Sequence, residues 1–264
     1  MKLPNWFIET IEYLWSGWGA IATLFLFLGL WEIGSSFYSE LVLPSPVIVI
    51  QKFYSLWQEN KIQVEVMITA RRAGIGFLLS IATGVSLGLL AGRTMTGAIM
   101  ARPMVSILLG TPPIAWLVLA LLWFGSGDGS PIFTVFISSL PVIFLQSMQG
   151  TKTLDGRLHD LAIVYNLSMV LRWKDIYLPH ILSYVLPAII TAWGISWKVV
   201  VMAELLSSDT GIGSLLAVSR SWLDTTQAMA WIFTTVGLLL VSEYGVLEPI
   251  KRRMERWRYL ETEK

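Results

Sequence analysis

Six stretches of mostly apolar residues, each long enough to cross a bilayer, dominate this sequence and restrict it to a membrane-spanning helical bundle. A helix needs about 20 such residues to cross roughly 30 Å of hydrocarbon. The stretches fall near 18–37, 74–91, 103–124, 131–148, 181–205 and 228–247. The expected fold is all-α and polytopic, with about six transmembrane helices. The fourth stretch is the weakest as a span, because it opens at Pro131 and contains Pro141. Proline is tolerated in such helices when neighbours satisfy the freed carbonyl. In the third, Thr111, Pro112 and Pro113 invite a local break, with a simple kink the more conservative expectation.

Composition agrees with bilayer as the solvent. Charged residues make up 14% of the 264, against about 25% in a soluble domain. They cluster between the apolar runs. A net charge of +1 leaves no footprint for nucleic acid. The absence of cysteine excludes disulfides, thiolate metal sites and a cysteine nucleophile. Several of the 13 tryptophans (Trp15, Trp18, Trp123, Trp257) stand near run ends, as in interfacial belts.

Basic residues set the expected orientation. With both termini cytoplasmic, inner segments carry Lys2, Arg93, Arg102, Lys152, Arg157, Arg172, Lys174 and a tail with Lys251, Arg252, Arg253, Arg256, Arg258 and Lys264. Outer segments carry only Lys52, Lys61, Arg71, Arg72 and Arg220. The positive-inside rule favours this arrangement in a bacterial plasma membrane. Residues 1–17 mix Lys2, Glu9 and Glu12 with Trp6, Phe7 and Trp15, which predicts an amphipathic lead-in on the membrane surface and not a cleaved signal. The spanning domain covers 18–250, and 251–264 form a basic cytoplasmic tail.

Three connections carry local signals. At 44–60, Ser45 is an expected N-cap with Pro46 at the first helical position. Val47, Ile50, Phe53, Tyr54 and Trp57 follow at helical spacing, predicting an amphipathic helix on the outer surface. Residues 125–130, GSGDGS, read as a tight outer turn with Asp128 as a turn residue. The longest inner connection is 149–180. Within it Leu158, Leu161, Ala162 and Tyr165 share a helical face, Asn166 fits a left-handed C-cap, and Ser168 fits the N-cap of a second short helix. A short helix pair with an apolar face needs a partner or the membrane interface to cover it. No nucleotide-binding loop and no dinucleotide glycine pattern is present, so a transporter of this kind takes its energy from another chain.

The inner connection resembles the coupling motif of ABC transporter permeases of the type I importer class, the binding-protein-dependent inner-membrane components. That motif runs acidic residue, two alanines, three residues, glycine, nine residues, isoleucine, one residue, Leu-Pro. Asp160, Leu161, Ala162, Asn166, Ile176, Leu178 and Pro179 stand at its positions, with Asp for Glu, Leu for Ala and Asn for Gly. LPSP at 43–46 with the helix after it, WFGSGDGSP at 123–131, Trp197 to Glu204 followed by Gly211-Ile212-Gly213, and Glu243 with Trp257 are similar to the nitrate/sulfonate/taurine branch. The resemblance implies a MetI-like permease fold, a paired second copy, an ABC ATPase docked on the inner segment, and a periplasmic or lipid-anchored binding protein outside. The coupling residues would be Asp160, Leu161, Ala162, Tyr165, Asn166, Ile176, Leu178 and Pro179. The solute would be nitrate, bicarbonate, taurine or an alkanesulfonate, or alternatively a thiamine precursor or another small organic solute.

A translocation path is expected to include Lys198, Glu204, Trp197, Trp193, Trp116 and Pro112. Lys198 is the sharpest of these, since a lysine inside a span costs roughly 2.5–3.5 kcal/mol and commonly faces a cavity or a partner. Glu204 lies six residues on, about 120° around the helix, so it is a poor partner for Lys198. His159 and His180 flank the inner segment and lack the company a metal site needs. No metal or cofactor is expected. A membrane-embedded enzyme would need clustered acids or a Ser/His pair within the spans, and a self-contained carrier often shows repeated halves. Neither pattern is evident.

Overall fold

The computed structural model describes residues 22–154, 164–243 and 245. Every regular element among them is helical: α1 (Ala22–Phe37), α2 (Pro46–Gln58), α3 (Lys61–Gly92), α4 (Met95–Gly110), α5 (Pro113–Phe124), α6 (Gly129–Lys152), α7 (Met169–Ser207), α8 (Ile212–Ser221) and α9 (Thr225–Ser242). Four of these, α3, α6, α7 and α9, are long and apolar enough to cross a membrane, and α4 with α5 make a fifth if taken as one broken span. Of the first expected span only 22–37 is described, as a shorter apolar helix. The lead-in at 1–17 and the tail at 251–264 lie outside the described residues.

The centre of the molecule is α6, flanked by α3 on one side and α7 on the other. The expectation that this proline-containing stretch makes a weak span is not met. Pro131 falls in the first helical turn, where no N–H is required, and the helix runs on through Pro141. The approach of α3 to α6 depends on small residues every four positions: Gly76, Ser80, Gly84, Gly88 and Gly92 are all buried. A Cβ on Gly88 would lie 2.6 Å from Phe144 O, and one on Gly92 2.6 Å from Met148 O. Lipid gives helices no hydrophobic drive to associate, so such backbone-to-backbone packing holds them. Ser80 Oγ adds a hydrogen bond to Phe136 O at 2.8 Å.

The third apolar stretch is broken, not kinked: α4 and α5 meet at 91°. Two consecutive prolines remove two backbone donors and push the preceding residue out of the helical region. Thr111 and Pro112 accordingly adopt extended backbone, with ψ of 121° and 141°. The second span is also longer than expected, since α3 begins at Lys61 and therefore contains Arg71 and Arg72, which the sequence reading counts in an outer segment.

Helix α2 starts as expected, with Ser45 Oγ accepting from Ile48 N. The apolar residues at helical spacing divide between two rows. Pro46, Val49 and Leu56 are buried and Phe53 is half-buried, whereas Val47, Ile50, Tyr54 and Trp57 point outward. The two apolar rows are adjacent, with Gln51, Lys52, Ser55 and Gln58 on the remaining side, so helical spacing alone does not choose between the rows. Leu56 joins Ile62, Ile212, Ala230 and Trp231 in a core beneath α2, with Phe53 edge-on to Phe233 at 5.3 Å. This arrangement sets α2 against α9, with its outward row left for lipid or a partner. Trp31 Nε1 on Pro44 O (3.0 Å) and Thr225 Oγ1 on Leu41 O (2.5 Å) fasten the loop before it.

Candidate functional site

Both ends of the bundle carry chemistry. At one end the start of α3, the start of α6 and the finish of α7 meet around a buried charge cluster. Arg72 Nη1 donates to Glu204 Oε1 at 2.8 Å and to Thr210 O at 2.6 Å. Its Nε donates to Asp128 Oδ1 at 2.7 Å, and its Nη2 to Thr210 Oγ1 at 2.9 Å. Arg71 pairs with the other oxygen of Asp128. Glu204 Oε2 accepts from Thr69 Oγ1 at 2.9 Å and from Gly213 N at 3.1 Å. The side chains of Arg72 and Glu204 are 2% and 0% exposed. A buried charge is tolerated only when its remaining donors and lone pairs are filled, and here they are.

The loop after α7 is shaped to complete this cluster. Gly211 has φ +100°, and a Cβ there would sit 2.4 Å from the Glu204 carboxylate. A Cβ on Gly213 would sit 2.2 Å from Val201 O. Glu65 Oε2 receives Gly211 N at 2.6 Å, and Thr69 Oγ1 receives Ile212 N at 3.0 Å. The turn before α6 is drawn in as well, with Gly127 N on Ser207 O at 2.9 Å. Glu204, expected along a path, is therefore enclosed by its neighbours and does not face open space. Asp128 is a turn residue, as expected, and also an ion-pair anchor. Arg72, Thr69 and Glu65 were absent from the sequence-derived site, since Arg72 and Glu204 are 132 residues apart and no local spacing links them.

The opposite end holds the connection from α6 to α7. Asp160, Leu161 and Ala162, and His159 with them, lie outside the described residues. Asn166 is left-handed at φ 51°, and Ser168 Oγ accepts from Leu171 N at 3.4 Å, as their positions predict. The second short helix is not separate: Met169 begins the same 39-residue helix that ends at Ser207, passing through a wider π turn at Trp173–Tyr177. Ile176, Leu178 and Pro179 thus sit where the connection joins the span. Tyr165, Met169, Val170, Trp173 and Leu178 are exposed apolar residues. Met169, Val170, Trp173, Lys174 and Leu178 line a groove of about 440 Å³. Trp173 is braced edge-on by Tyr177 at 5.6 Å. His180 meets Thr153 Oγ1 at 3.2 Å, an interfacial contact between α6 and α7. Among the described residues no group of three or more His, Cys, Asp or Glu is placed to hold a metal ion.

The remaining path residues separate. Trp197 lies in the core with Ala73, Val135, Val199 and Val200 instead of lining open space. Trp193 packs edge-on between Phe77 (4.9 Å) and Trp197 (5.7 Å). Trp116 is half-buried on α5, and Pro112 is exposed at the bend between α4 and α5. Lys198 is exposed on α7, facing away from the core.

Residues 84–249 match the protein family described as the binding-protein-dependent transport system inner membrane component. A putative aliphatic sulfonates transport permease protein, SsuC, of Escherichia coli (strain K12) is 30% identical over 89% of this chain and 89% of its own length. Its counterpart in Bacillus subtilis (strain 168) is 28% identical over 88% and 84%. The nitrate import permease protein NrtB of Synechococcus elongatus is 27% identical over 73% of each chain. In fold, the chain matches a chain of the inward-facing MetNI methionine ABC transporter with a TM-score of 0.59 and 16% identity, over 72% of this chain and 94% of that one.

Proposed function

This chain belongs to the family of binding-protein-dependent transport system inner membrane components, and from that premise we propose how it couples a bilayer path to an energy source. It is the membrane-spanning permease subunit of an ABC importer, a transport subunit and not itself an enzyme. The family implies an ATPase and a solute-binding protein as partners. In our reading the ATPase docks on the α6–α7 connection at the cytoplasmic side, and the binding protein delivers solute at the end that holds Glu204. The buried position of Arg72 supports that orientation, because it removes one basic residue from the exposed loops of the outer side. Both termini are then cytoplasmic, and a second copy of the chain pairs with the first in the bacterial plasma membrane.

The observation that carries this reading is the exposed apolar surface from Tyr165 to Leu178 with its groove. Large exposed apolar patches rimmed by polar residues mark interaction sites. Asp160, Leu161, Ala162, Tyr165, Asn166, Ile176, Leu178 and Pro179 are assigned to that contact. ATP binding closes the ATPase pair, and the contact shifts the spans only so far as the ATPase binds one of their conformations better. The solute we assign is a small anion of the sulfonate or nitrate kind, after the names of the relatives. An affinity-tagged chain, purified from native membranes in mild detergent, is expected to bring down a nucleotide-binding subunit in about equal amount. Purification of the chain alone, folded and without such a subunit, would count against the docking.

A further inference from the structure

One face of α7 is left open along the inside of the bilayer, and its chemistry is unlike that of a lipid-facing surface. Ala188, Ala192, Ser196, Val199, Val200 and Ala203 are turned into the core. Pro187, Thr191 and Lys198 are exposed at spacings that put them on the opposite side, with Gly194 between them. A Cβ built on Gly194 would meet nothing within 4 Å. Where this face approaches α6 it opens into a cavity of about 300 Å³ lined by Gln146, Ser183, Tyr184, Pro187 and Thr191 among others. The strip therefore runs from an ammonium group, past a bare glycine, to a hydroxyl, an amide and a phenol.

Lys198 is the only Asp, Glu, Lys or Arg between Asp175 and Glu204 on α7. It stands nine residues below Ser207, about 14 Å along the axis, too far for its side chain to reach that end with ease. Among the described residues no carboxylate pairs with it, since the nearby Glu204 is committed to Arg72. An ionisable group in that position faces a bundle interior or a water-filled cavity, and does not face acyl chains. No Asp or Glu lies on the α6 side of the cavity either, where the sequence is VIFLQ from 142 to 146.

We infer that this strip of α7, completed by Gln146 of α6, is a conduit for a small anion, with Lys198 as the fixed positive charge that draws the anion in and the Gln146 amide and Tyr184 phenol as the neutral donors beside it, since the hydroxyls of Ser183 and Thr191 already donate to His180 O and Pro187 O. A cleft lined by one sign of charge with low-dielectric walls concentrates the opposite sign. A single lysine with no clustered partners attracts an anion without trapping it. The inference rests on the importer reading above, since the open face becomes a closed conduit only when the second copy covers it.

The absence of cysteine makes the test direct and independent of the solute's identity. Thr191→Cys is placed in the importer complex in membrane vesicles and treated with two thiosulfonate reagents, one bearing a sulfonate and one a quaternary ammonium. Rates are divided by those of a free thiol and measured without nucleotide and with ATP. Val135→Cys, wholly buried, sets the unreactive baseline. The sulfonate reagent is expected to react about ten-fold faster than the ammonium reagent in at least one nucleotide state. Adding Lys198→Met is expected to abolish that preference, and Lys198→Arg to keep it. Reaction at the baseline rate in both states would overturn the conduit. A preference unchanged by Lys198→Met, or equal reaction with both reagents, would overturn the role of Lys198. None of these results touches the capture of the nucleotide-binding subunit, which fails or succeeds on its own.

Discussion

Glu204→Ala is expected to destabilise the folded chain by about 3 kcal/mol, seen as a fall in thermal midpoint and loss of a single sharp size-exclusion peak in detergent. The reason is the company Arg72 keeps. Its side chain is 2% exposed, and removing Glu204 leaves one face of a buried guanidinium without its 2.8 Å partner. Breaking a buried pair costs about 3–5 kcal/mol, because an uncompensated charge remains. The lower end applies here, since Asp128 still accepts from Arg72 Nε at 2.7 Å and Thr210 still accepts at its carbonyl. Two contrasts sharpen the expectation. Glu204→Leu combined with Arg72→Met removes both charges and is expected to recover part of the loss, since Gly213 N and Thr210 O still lose their partners. Asp224→Ala removes the pair with Lys52, which is long at 3.9 Å and part-exposed. That pair contributes less than about 1 kcal/mol, although Asp224 also caps Gln227 N at 2.8 Å and its loss adds about 1 kcal/mol.

The second large effect is expected at the other end. Val170→Asp is predicted to lower capture of the nucleotide-binding subunit by ten-fold or more while leaving insertion and the thermal midpoint unchanged. Val170 is 74% exposed and holds nothing in the core, so its replacement has little to cost within the chain. In a docked complex it would place a carboxylate in a desolvated apolar contact, where a neutral polar group already costs about 1–3 kcal/mol and an unpaired charge costs more. Trp173→Ala is expected to act in the same direction. A rigid, braced tryptophan beside a groove is the sort of anchor on which binding energy concentrates. Unchanged capture by both variants would move the docking surface elsewhere.

Local chemistry was legible in the sequence wherever it depended on near neighbours. Ser45 and Ser168 cap the helices that follow them, and Asn166 takes the left-handed turn that its type permits. The apolar runs located the spans, because the length a bilayer requires is a property of a continuous segment. The paired prolines at 112 and 113 marked the third span as interrupted, although a 91° break exceeds what one expects of a kink. What sequence did not disclose is how the runs associate. The four-residue spacing of Gly76, Ser80, Gly84, Gly88 and Gly92 is visible in the chain, but its meaning depends on the carbonyls of α6 lying opposite. The helical spacing of Val47, Ile50, Phe53, Tyr54 and Trp57 marked α2 as amphipathic, but the row that packs, Pro46, Val49 and Leu56, depends on where α9 lies.

Charges were harder to place than apolar residues. Arg71 and Arg72 look like the basic end of a loop until α3 is seen to begin at Lys61. Glu204 looks like a vestibule carboxylate until Arg72, Thr69 and the Gly211–Gly213 backbone close over it. Of the two charged path candidates, Glu204 is enclosed and Lys198 is exposed, and an ionisable residue of that kind in a span points to function.

The claim on which the rest depends is that a separate ATPase meets the chain at the junction of α6 and α7. Its most direct test is a pair of single-cysteine variants in the co-expressed complex, Val170→Cys at that junction and Trp222→Cys just after α8, each treated in the membrane with a short bifunctional thiol crosslinker. Both positions are strongly exposed, at 74% and 80%. Our account predicts that Val170→Cys joins to the nucleotide-binding subunit and that Trp222→Cys does not. Joining through Trp222→Cys, with none through Val170→Cys, would contradict it.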